Sequence, residues 1–409
     1  LQGGKDRGTH LMVFQELAVS AYHVRDKIDK PEFLKHQSQV IANINRFQRY
    51  LFKNDSLNHI RNTLAAYRIK EETLKNIIES YIEELAIIDN YDLHNDSFLE
   101  HEIESANKSS LVKNMLKNIL SENNLPEETV SQIIDKFSAV YEDFGIGMVL
   151  PAAIPGKSKP YNGAYCFRSD GSLAIIVEKQ RLADDPSSYF YEKHNYLPGD
   201  SNKKYVFLFR GHRLGVFICE DIWQEADYRL GGKLTDSQNG IIIDSKLREA
   251  AYINCNTAAD FLINVSASPK QVGFLEPHQL KNVSWQKLPA KFSIIENTGF
   301  VFSSPRSETR ELLLKSVSSY NNVPILYINS LQGIDEVIME GASYAYNNKG
   351  EQIGSSKQFS ESFISITLSQ KNKLAIAEEN KKNHILCAEE QLFESLVLSV
   401  QDYMEKSNL

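Results

Sequence analysis

The 409-residue sequence predicts an α/β protein in which helices are layered on sheets, and three observations carry that expectation. Apart from Gly3, Gly4 and Gly8, all of the 20 glycines lie at or after Gly145, so the chain changes texture there. Before Gly145 apolar residues recur at helical spacing, and after it short apolar runs alternate with turn residues. Helical patterns then return between those runs, which points to interleaved strands and helices and away from an all-β protein.

The elements follow in chain order. LMVFQELAVSAY (11–22) reads as an apolar strand ending in Glu16. From about 50 to 142 the chain reads as a helical unit with polar outer faces. There EETLKNIIESYIEELAII places Leu74, Ile77, Ile78, Tyr81 and Leu85 on one helical face. NNLPEETVSQIIDKFSAVY does the same with Val130, Ile133, Ile134, Phe137 and Tyr141, behind an Asn124 cap and an early Pro126. Beyond Gly145, FGIGMVLPAAIPG, AYCFRSDGSLAIIVEK and KYVFLFRGHRLGVFIC read as strands. Asp170-Gly171 is expected to turn 165–168 onto 173–177, and Gly211 to turn 205–209 onto 214–218. SETRELLLKSVSSYN supplies a helix before the strand VPILYIN.

Composition narrows the function. With 42% hydrophobic and 24% charged residues the chain can bury a large core, and no run approaches the roughly 18 apolar residues of a membrane-spanning helix. A net charge of -8 and a pI near 5.8 disfavour nucleic-acid and anionic-membrane surfaces, leaving a small molecule as the expected partner. Cysteines 166, 219, 255 and 387 form no CxxC pair, which fits a reducing, cytoplasmic setting. The chain opens on LQGGKDRGTH, which reads like the middle of a longer sequence. The 10 histidines show no HxxxH or HExxH spacing, so no catalytic metal is expected. No GxGxxG or GxxxxGK[ST] loop is present to hold NAD or ATP phosphates.

The chemistry concentrates at three strand ends. In GVFICEDIW (215–223) an apolar run stops at Cys219, where a sharp turn would present a nucleophile and leave the Glu220 N–H free for an oxyanion. A lone cysteine could equally just pack, as Cys166 is expected to do. Two more strands shift that balance: one ends in Glu16, and SLAIIVEKQRL (172–182) ends in Lys179. Side by side, Glu16 can take the thiol proton, Cys219 can attack an amide carbon and Lys179 can stabilise the oxyanion. Tyr189, Phe190 and Tyr191 form an aromatic cluster that could wall a pocket or simply pack.

VFQEL, the lysine that follows YNGAYCF, and ICEDIW together resemble the nitrilase (carbon-nitrogen hydrolase) superfamily, with its Glu, Lys and Cys triad. FYEKHNYLPGD (190–200), NVSASP (264–269), the stretch 320–353 and the terminal EEQLFESLVLSVQDYMEKSNL (389–409) look more specifically like the glutamine-hydrolysing domain of glutamine-dependent NAD synthetases. That resemblance implies an α-β-β-α four-layer sandwich with a helical insertion at 50–142. The glutaminase domain would then comprise 1–49 and 143–380, and 381–409 would be a helix leading to a synthetase domain. It implies Glu16 as base, Lys179 as oxyanion ligand, Cys219 as nucleophile through a glutamyl thioester, and Glu192 as an auxiliary acid. Tyr191, Glu220, Ser266 and Ser268 become candidate substrate contacts. Glutamine is the implied substrate and a homo-oligomer the implied assembly. The glutaminase step needs no cofactor, while ATP, Mg and deamido-NAD belong to the synthetase.

The sequence departs from the pattern in places. Gln15 stands where the family has proline, a change expected to alter the local turn more than the chemistry. A first strand is expected before Gly3 and is not seen, and its loss would leave a sheet edge exposed. Stretches 231–251 and 270–305 are longer than usual, so either Ser266 and Ser268 or Ser303 and Ser304 line the site. Two rival readings stay open: a freestanding amidase acting on another small amide, and a non-catalytic assembly module. The amidase would act without a partner domain and be indifferent to glutamine. Alkylation of Cys219 tests the assembly module, because an activated thiol should react well below the ordinary thiol pKa of about 8.5 and be protected by glutamine, whereas an inert, buried Cys219 would favour the module.

Overall fold

The computed structural model describes residues 9–19, 30–93, 108–183, 192–222, 259–269, 273–274, 293–294, 300–302, 305–334, 337–368, 374–381, 386 and 388–407. It is a mixed α/β fold, as the glycine distribution and the alternating patterns predict. Two compact units divide the chain. One comprises Leu1–Phe14, Pro31–Leu150 and Ala164–Ile176, the other Gln15–Lys30, Pro151–Gly163 and Val177–Leu409.

The first unit is built on four helices: α1 (Pro31–Ala66), α2 (Glu71–Leu93), α3 (Lys108–Glu122) and α4 (Glu127–Val140). The helical run thus begins at Pro31, well before residue 50. The predicted faces are the ones buried: Ile77, Ile78, Tyr81 and Leu85 from α2 and Val130, Ile133 and Phe137 from α4 join Phe52, Ile60, Leu64, Leu116 and Leu120 in one apolar core. Phe137 and Phe144 meet with ring centroids 5.4 Å apart, and Phe52 packs edge-on to Tyr141 at 5.2 Å. One expectation fails here. Asn124 does not cap α4; it lies at φ +58 with its N–H bonded to the Ser121 carbonyl, so it closes α3, and Pro126 takes the N-cap position of α4 without a side-chain bond. Four residues separate the helices, and the left-handed turn that ends the first leaves asparagine on the wrong side to serve the second.

Buried amides tie the helices to the neighbouring turns of the same unit. Gln48 donates to the Ile146 carbonyl at 2.5 Å and to the Arg168 carbonyl at 2.6 Å, and Asn45 donates to the Gly171 carbonyl at 2.8 Å. Tyr141 donates to Asp170 at 3.1 Å.

Strands β1 (Leu11–Val13), β2 (Gly147–Ile154), β3 (Tyr161–Phe167) and β4 (Leu173–Glu178) form a four-stranded sheet in that order, with β1 parallel to β2. Strand β1 is three residues long, so the expected strand stops short of Glu16. Pro151 sits past Val149, the last residue that β1 pairs with, where its missing N–H interrupts no β1 ladder bond. The β3–β4 turn is closed as predicted by Asp170 and Gly171, with Gly171 at φ +78.

In the second unit β5 (Val206–Phe209), β6 (His212–Ile218) and β7 (Phe261–Ser266) lead into a six-stranded sheet. The short β8 (Gly273–Phe274), β9 (Ser293–Ile294) and β10 (Phe300–Phe302) pair among themselves. After β11 (Ile325–Asn329), β12 (Leu331–Ile334), β13 (Val337–Glu340), β14 (Tyr344–Tyr346) and β15 (Gln352–Ser355), the six-stranded order is β15-β14-β11-β7-β6-β5. The β5–β6 turn places Arg210 at φ +48 and Gly211 at φ +77, the two positive angles of a tight hairpin turn. β6, β7 and β11 run parallel, and β7 is buried along its whole length. The helix at 192–195 is α5, and α6 (Pro305–Asn321) packs Leu313, Leu314 and Val317 onto Ile325, Tyr327 and Tyr344. A small hairpin of β16 (Ile366–Leu368) and β17 (Leu374–Ile376) precedes α7 (Glu378–Lys381). Helix α8 (Ala388–Ser407) lies on β12, where Asp402 accepts from the Gly333 N–H and Lys406 donates to the Gly333 carbonyl at 2.8 Å. Among the described residues no helix is long and apolar enough to cross a membrane.

Candidate active site

The predicted strand ends meet, and every residue of the resulting cluster belongs to the second unit. Lys179 follows β4 directly and is wholly buried. Its backbone is fixed first: the Lys179 N–H donates to the Asn162 carbonyl at 2.7 Å, and its own carbonyl accepts from the Gly199 N–H at 2.8 Å. A β-carbon on Gly199 would stand 2.8 Å from that of Glu178, so this approach requires glycine. Lys179 Nζ then donates to Glu16 Oε1 at 2.8 Å and pairs with both oxygens of Glu192, at 2.9 and 2.8 Å.

Asn162, wholly buried on β3, completes a ring. Its side-chain nitrogen donates to Glu16 Oε1 at 2.7 Å and to Glu192 Oε1 at 2.9 Å, so one neutral amide and one ammonium separate two carboxylates. The second oxygen of Glu16 accepts from the Ala267 N–H at 2.7 Å, and that of Glu192 from the Ala183 N–H at 2.7 Å. Glu16 reaches this place from the turn after β1, where Leu17 takes φ +51. The turn closes through the Gln15 carbonyl, a group that proline also carries, so Gln15 leaves that bond intact.

Cys219 stands at the end of β6, on the first residue of a 3-10 turn over Cys219–Ile222. Its φ of +42 is a left-handed angle that a non-glycine side chain adopts at a cost of about 1 kcal/mol or more, a strain often found at functional sites. The thiol shares its electrostatic environment with Glu16, Lys179, Glu220 and Glu192. Burial and the Glu16 charge hold it well above the ordinary thiol range, with Lys179 pulling it down. The resting cysteine is therefore a neutral thiol, unlike the pre-ionised one that an alkylation test would look for. Burial raises the Glu16 carboxyl above its ordinary value, opposed by Lys179 and reinforced by Glu192. Burial works against the Lys179 ammonium, but Glu16 and Glu192 outweigh it and hold the lysine charged. A neutral thiol beside a proton-hungry carboxylate and a fixed ammonium can undergo base-assisted attack on a carbonyl carbon.

Asp221 ties the turn together. Its Oδ1 accepts from the N–H groups of Gln180 at 2.9 Å and Arg181 at 2.8 Å, and its Oδ2 from the Ile218 N–H at 3.0 Å. Burial lifts this carboxyl to about 7 against the pull of those bonds.

The remaining candidates divide. Glu220 follows Cys219 in the turn. Ser266 and Ser268 are buried on either side of Ala267, but the Ser266 hydroxyl donates to Asn264 at 2.9 Å, and the Ser268 peptide is held by Asn329 at 2.8 and 3.1 Å. It is the backbone between them that reaches Glu16. Tyr327 is buried on β11; burial lifts its phenol to about 12, and Arg310 donates to its oxygen at 3.2 Å. Tyr189, Phe190, Tyr191, Ser303, Ser304, Cys255, Cys387, the stretch 231–251 and most of 270–305 lie outside the described residues. Cys166 is a core residue, as expected, its thiol raised by burial. Among the described residues no group of three or more His, Cys, Asp or Glu side chains is placed to hold a metal.

Sequence reasoning missed Asn162, Asp221, Ala267 and Tyr327. Asn162 and Asp221 had a weak signal, a polar residue inside an apolar strand and a second carboxylate after the cysteine. Ala267 acts through its peptide N–H and had none.

No protein-family model matches the chain. It is 25% identical over 268 residues to the glutamine-dependent NAD(+) synthetase of Synechocystis sp., covering 64% of this chain and 38% of that protein. With the protein of the same name from Acinetobacter baylyi it is 24% identical over 249 residues, 60% of this chain and 34% of that one. Among solved structures, the glutamine-dependent NAD+ synthetase of Acinetobacter baumannii aligns with a TM-score of 0.45 at 19% identity, over 74% of this chain and 50% of that chain. An amidase from Nesterenkonia sp. AN1 aligns with a TM-score of 0.34 at 13% identity, over 61% of this chain and 66% of that chain. The chain spans well under half the length of the curated relatives it matches. It is a homologue, over that shared stretch, of proteins named glutamine-dependent NAD(+) synthetase.

Proposed function

We propose that this chain hydrolyses the side-chain amide of glutamine to glutamate and ammonia. Glu16 takes the Cys219 proton as the sulfur attacks the amide carbon. Lys179 and the Glu220 N–H receive the negative oxygen of the tetrahedral intermediate, and protonated Glu16 returns its proton to the leaving ammonia. Water, deprotonated by Glu16, then releases glutamate from the Cys219 thioester. Glu192 holds the lysine and, through Asn162, the base. On this reading the ammonia amidates deamido-NAD in a synthetase domain of the same or another chain, and ATP and Mg belong there.

The observation that carries the proposal is the buried ring of Glu16, Lys179, Glu192 and Asn162, whose charged members act on the thiol of the strained Cys219. A cluster of two carboxylates and a lysine contributes little to stability by comparison with apolar packing, so its presence favours a chemical use. The test is ammonia release from glutamine by the parent and by Cys219→Ala at matched folding. Loss of activity with the thiol supports the proposal. Activity on short aliphatic amides but not on glutamine would favour a freestanding amidase, and inactivity on both an assembly module.

A further inference from the structure

Lys179 and Cys219 come from different sheets, β4 in the four-stranded one and β6 in the six-stranded one, and their catalytic use requires a fixed spacing. One buried side chain bonds to the backbone on both sides. The Asp221 carboxylate holds the two peptide N–H groups that follow Lys179 with one oxygen and the N–H that precedes Cys219 with the other. Its distances of 2.8 to 3.0 Å are those of good hydrogen bonds.

We infer that Asp221 is a positioning residue that sets the spacing of the Lys179 ammonium and the Cys219 thiol by bridging the two strand ends. The inference rests on the proposed chemistry for its functional meaning, but its geometry stands independently of the substrate. Cys219 is in a left-handed conformation that the turn must over-determine, and the Ile218 bond to Asp221 closes that turn from within. The same carboxylate keeps the segment after Lys179 from withdrawing, because Gln180 and Arg181 share one oxygen. Lys179 is the charge that eases ionisation of the thiol, so a looser bridge leaves Cys219 less reactive without altering either residue.

Asp221→Asn is the discriminating variant. It preserves shape but presents an NH2 donor to one of the two strand ends, where a backbone N–H already points. In the full chain, kcat for ammonia release from glutamine should fall about tenfold to a hundredfold with KM held within about threefold, the loss expected for one charge-assisted hydrogen bond. The rate of Cys219 alkylation by iodoacetamide should fall about tenfold in parallel. Alkylation needs no glutamine chemistry: a parent that alkylates but releases no ammonia sinks the proposed function and still tests the bridge. A folded variant with kcat and alkylation rate within twofold of the parent would overturn the inference. So would a variant that changes KM alone, or one that only melts earlier.

Should Asp221→Asn fail to fold, hydrogen exchange on the parent decides. The Gln180, Arg181 and Ile218 amides should share one degree of protection because they share one acceptor. Exchange at Gln180 and Arg181 tenfold faster than at Ile218 would show the strand ends opening independently and defeat the idea.

Discussion

The helical core of α1–α4 and the polar ring around Lys179 are both fully buried, yet they are held by opposite means. In the helices Ile60, Leu64, Ile77, Leu120 and Phe137 lose water and gain packing, so each contributes favourably wherever a neighbour of similar size would fit. In the ring each member is tolerated only because the others are present: Lys179 offsets two carboxylates, and Asn162 fills the gap between them. Apolar packing degrades by degrees. A charged ring fails when any one partner is removed.

The largest effect is expected at the one residue of the site that bears almost no structural load. Cys219→Ala should reduce ammonia release by about a thousandfold or more with melting nearly unchanged, read by coupled ammonia assay and calorimetry. Survival of activity would remove the cysteine from the chemistry. Lys179→Met should strike both properties: it leaves Glu16 and Glu192 buried together without their cation, at about 3–5 kcal/mol of stability by denaturant titration, and it silences the enzyme. A stable Lys179→Met protein would mean that water reaches the ring.

On the other side of the comparison, Leu64→Ala should cost about 2–5 kcal/mol through the cavity it opens while kcat per folded molecule stays at the parental value. A fall in kcat would couple the helices to the chemistry. Asn162→Ala, which removes two donors from carboxylates, should lower kcat about tenfold to a hundredfold, checked by steady-state kinetics.

The smallest effect concerns pH. Because Glu16 and Asp221 have carboxyl pKa values raised in the folded state, their share of stability is present below their unfolded values and is lost as pH rises, for Asp221 through about 7. Activity should run the other way, rising with pH as Glu16 becomes free to accept the thiol proton. Melting curves and kcat measured together between pH 5 and about 9 check both signs. The same slope in both would show that a different group controls one of them.

Much of this was legible in the chain. The faces of α2 and α4, the turns at Gly171 and Gly211 and the strand ends at Lys179 and Cys219 follow from periodicity, turn chemistry and the abrupt end of an apolar run, all local properties, whereas Glu16 stands in the turn beyond β1 and not on the strand end expected of it. The start of α1 was missed because a largely polar stretch, PEFLKHQSQVIANINRFQ, shows its burial only where Asn45 and Gln48 bond to distant turns. Asn124 was misplaced because the same residue type suits either end of a helix.

What only the tertiary structure decided is which groups share a proton, a charge or a bond across long stretches of sequence. Glu16 and Ala267 are 251 positions apart, and Asn162 and Glu16 are 146 apart, yet each pair bonds at 2.7 Å. A backbone N–H carries no sequence signature, and a thiol's ionisation depends on burial that no residue specifies alone. The sequence determined which chemistry was available at the strand ends; only folding determined that Cys219 rests neutral beside Glu16, because desolvation acts on the assembled site.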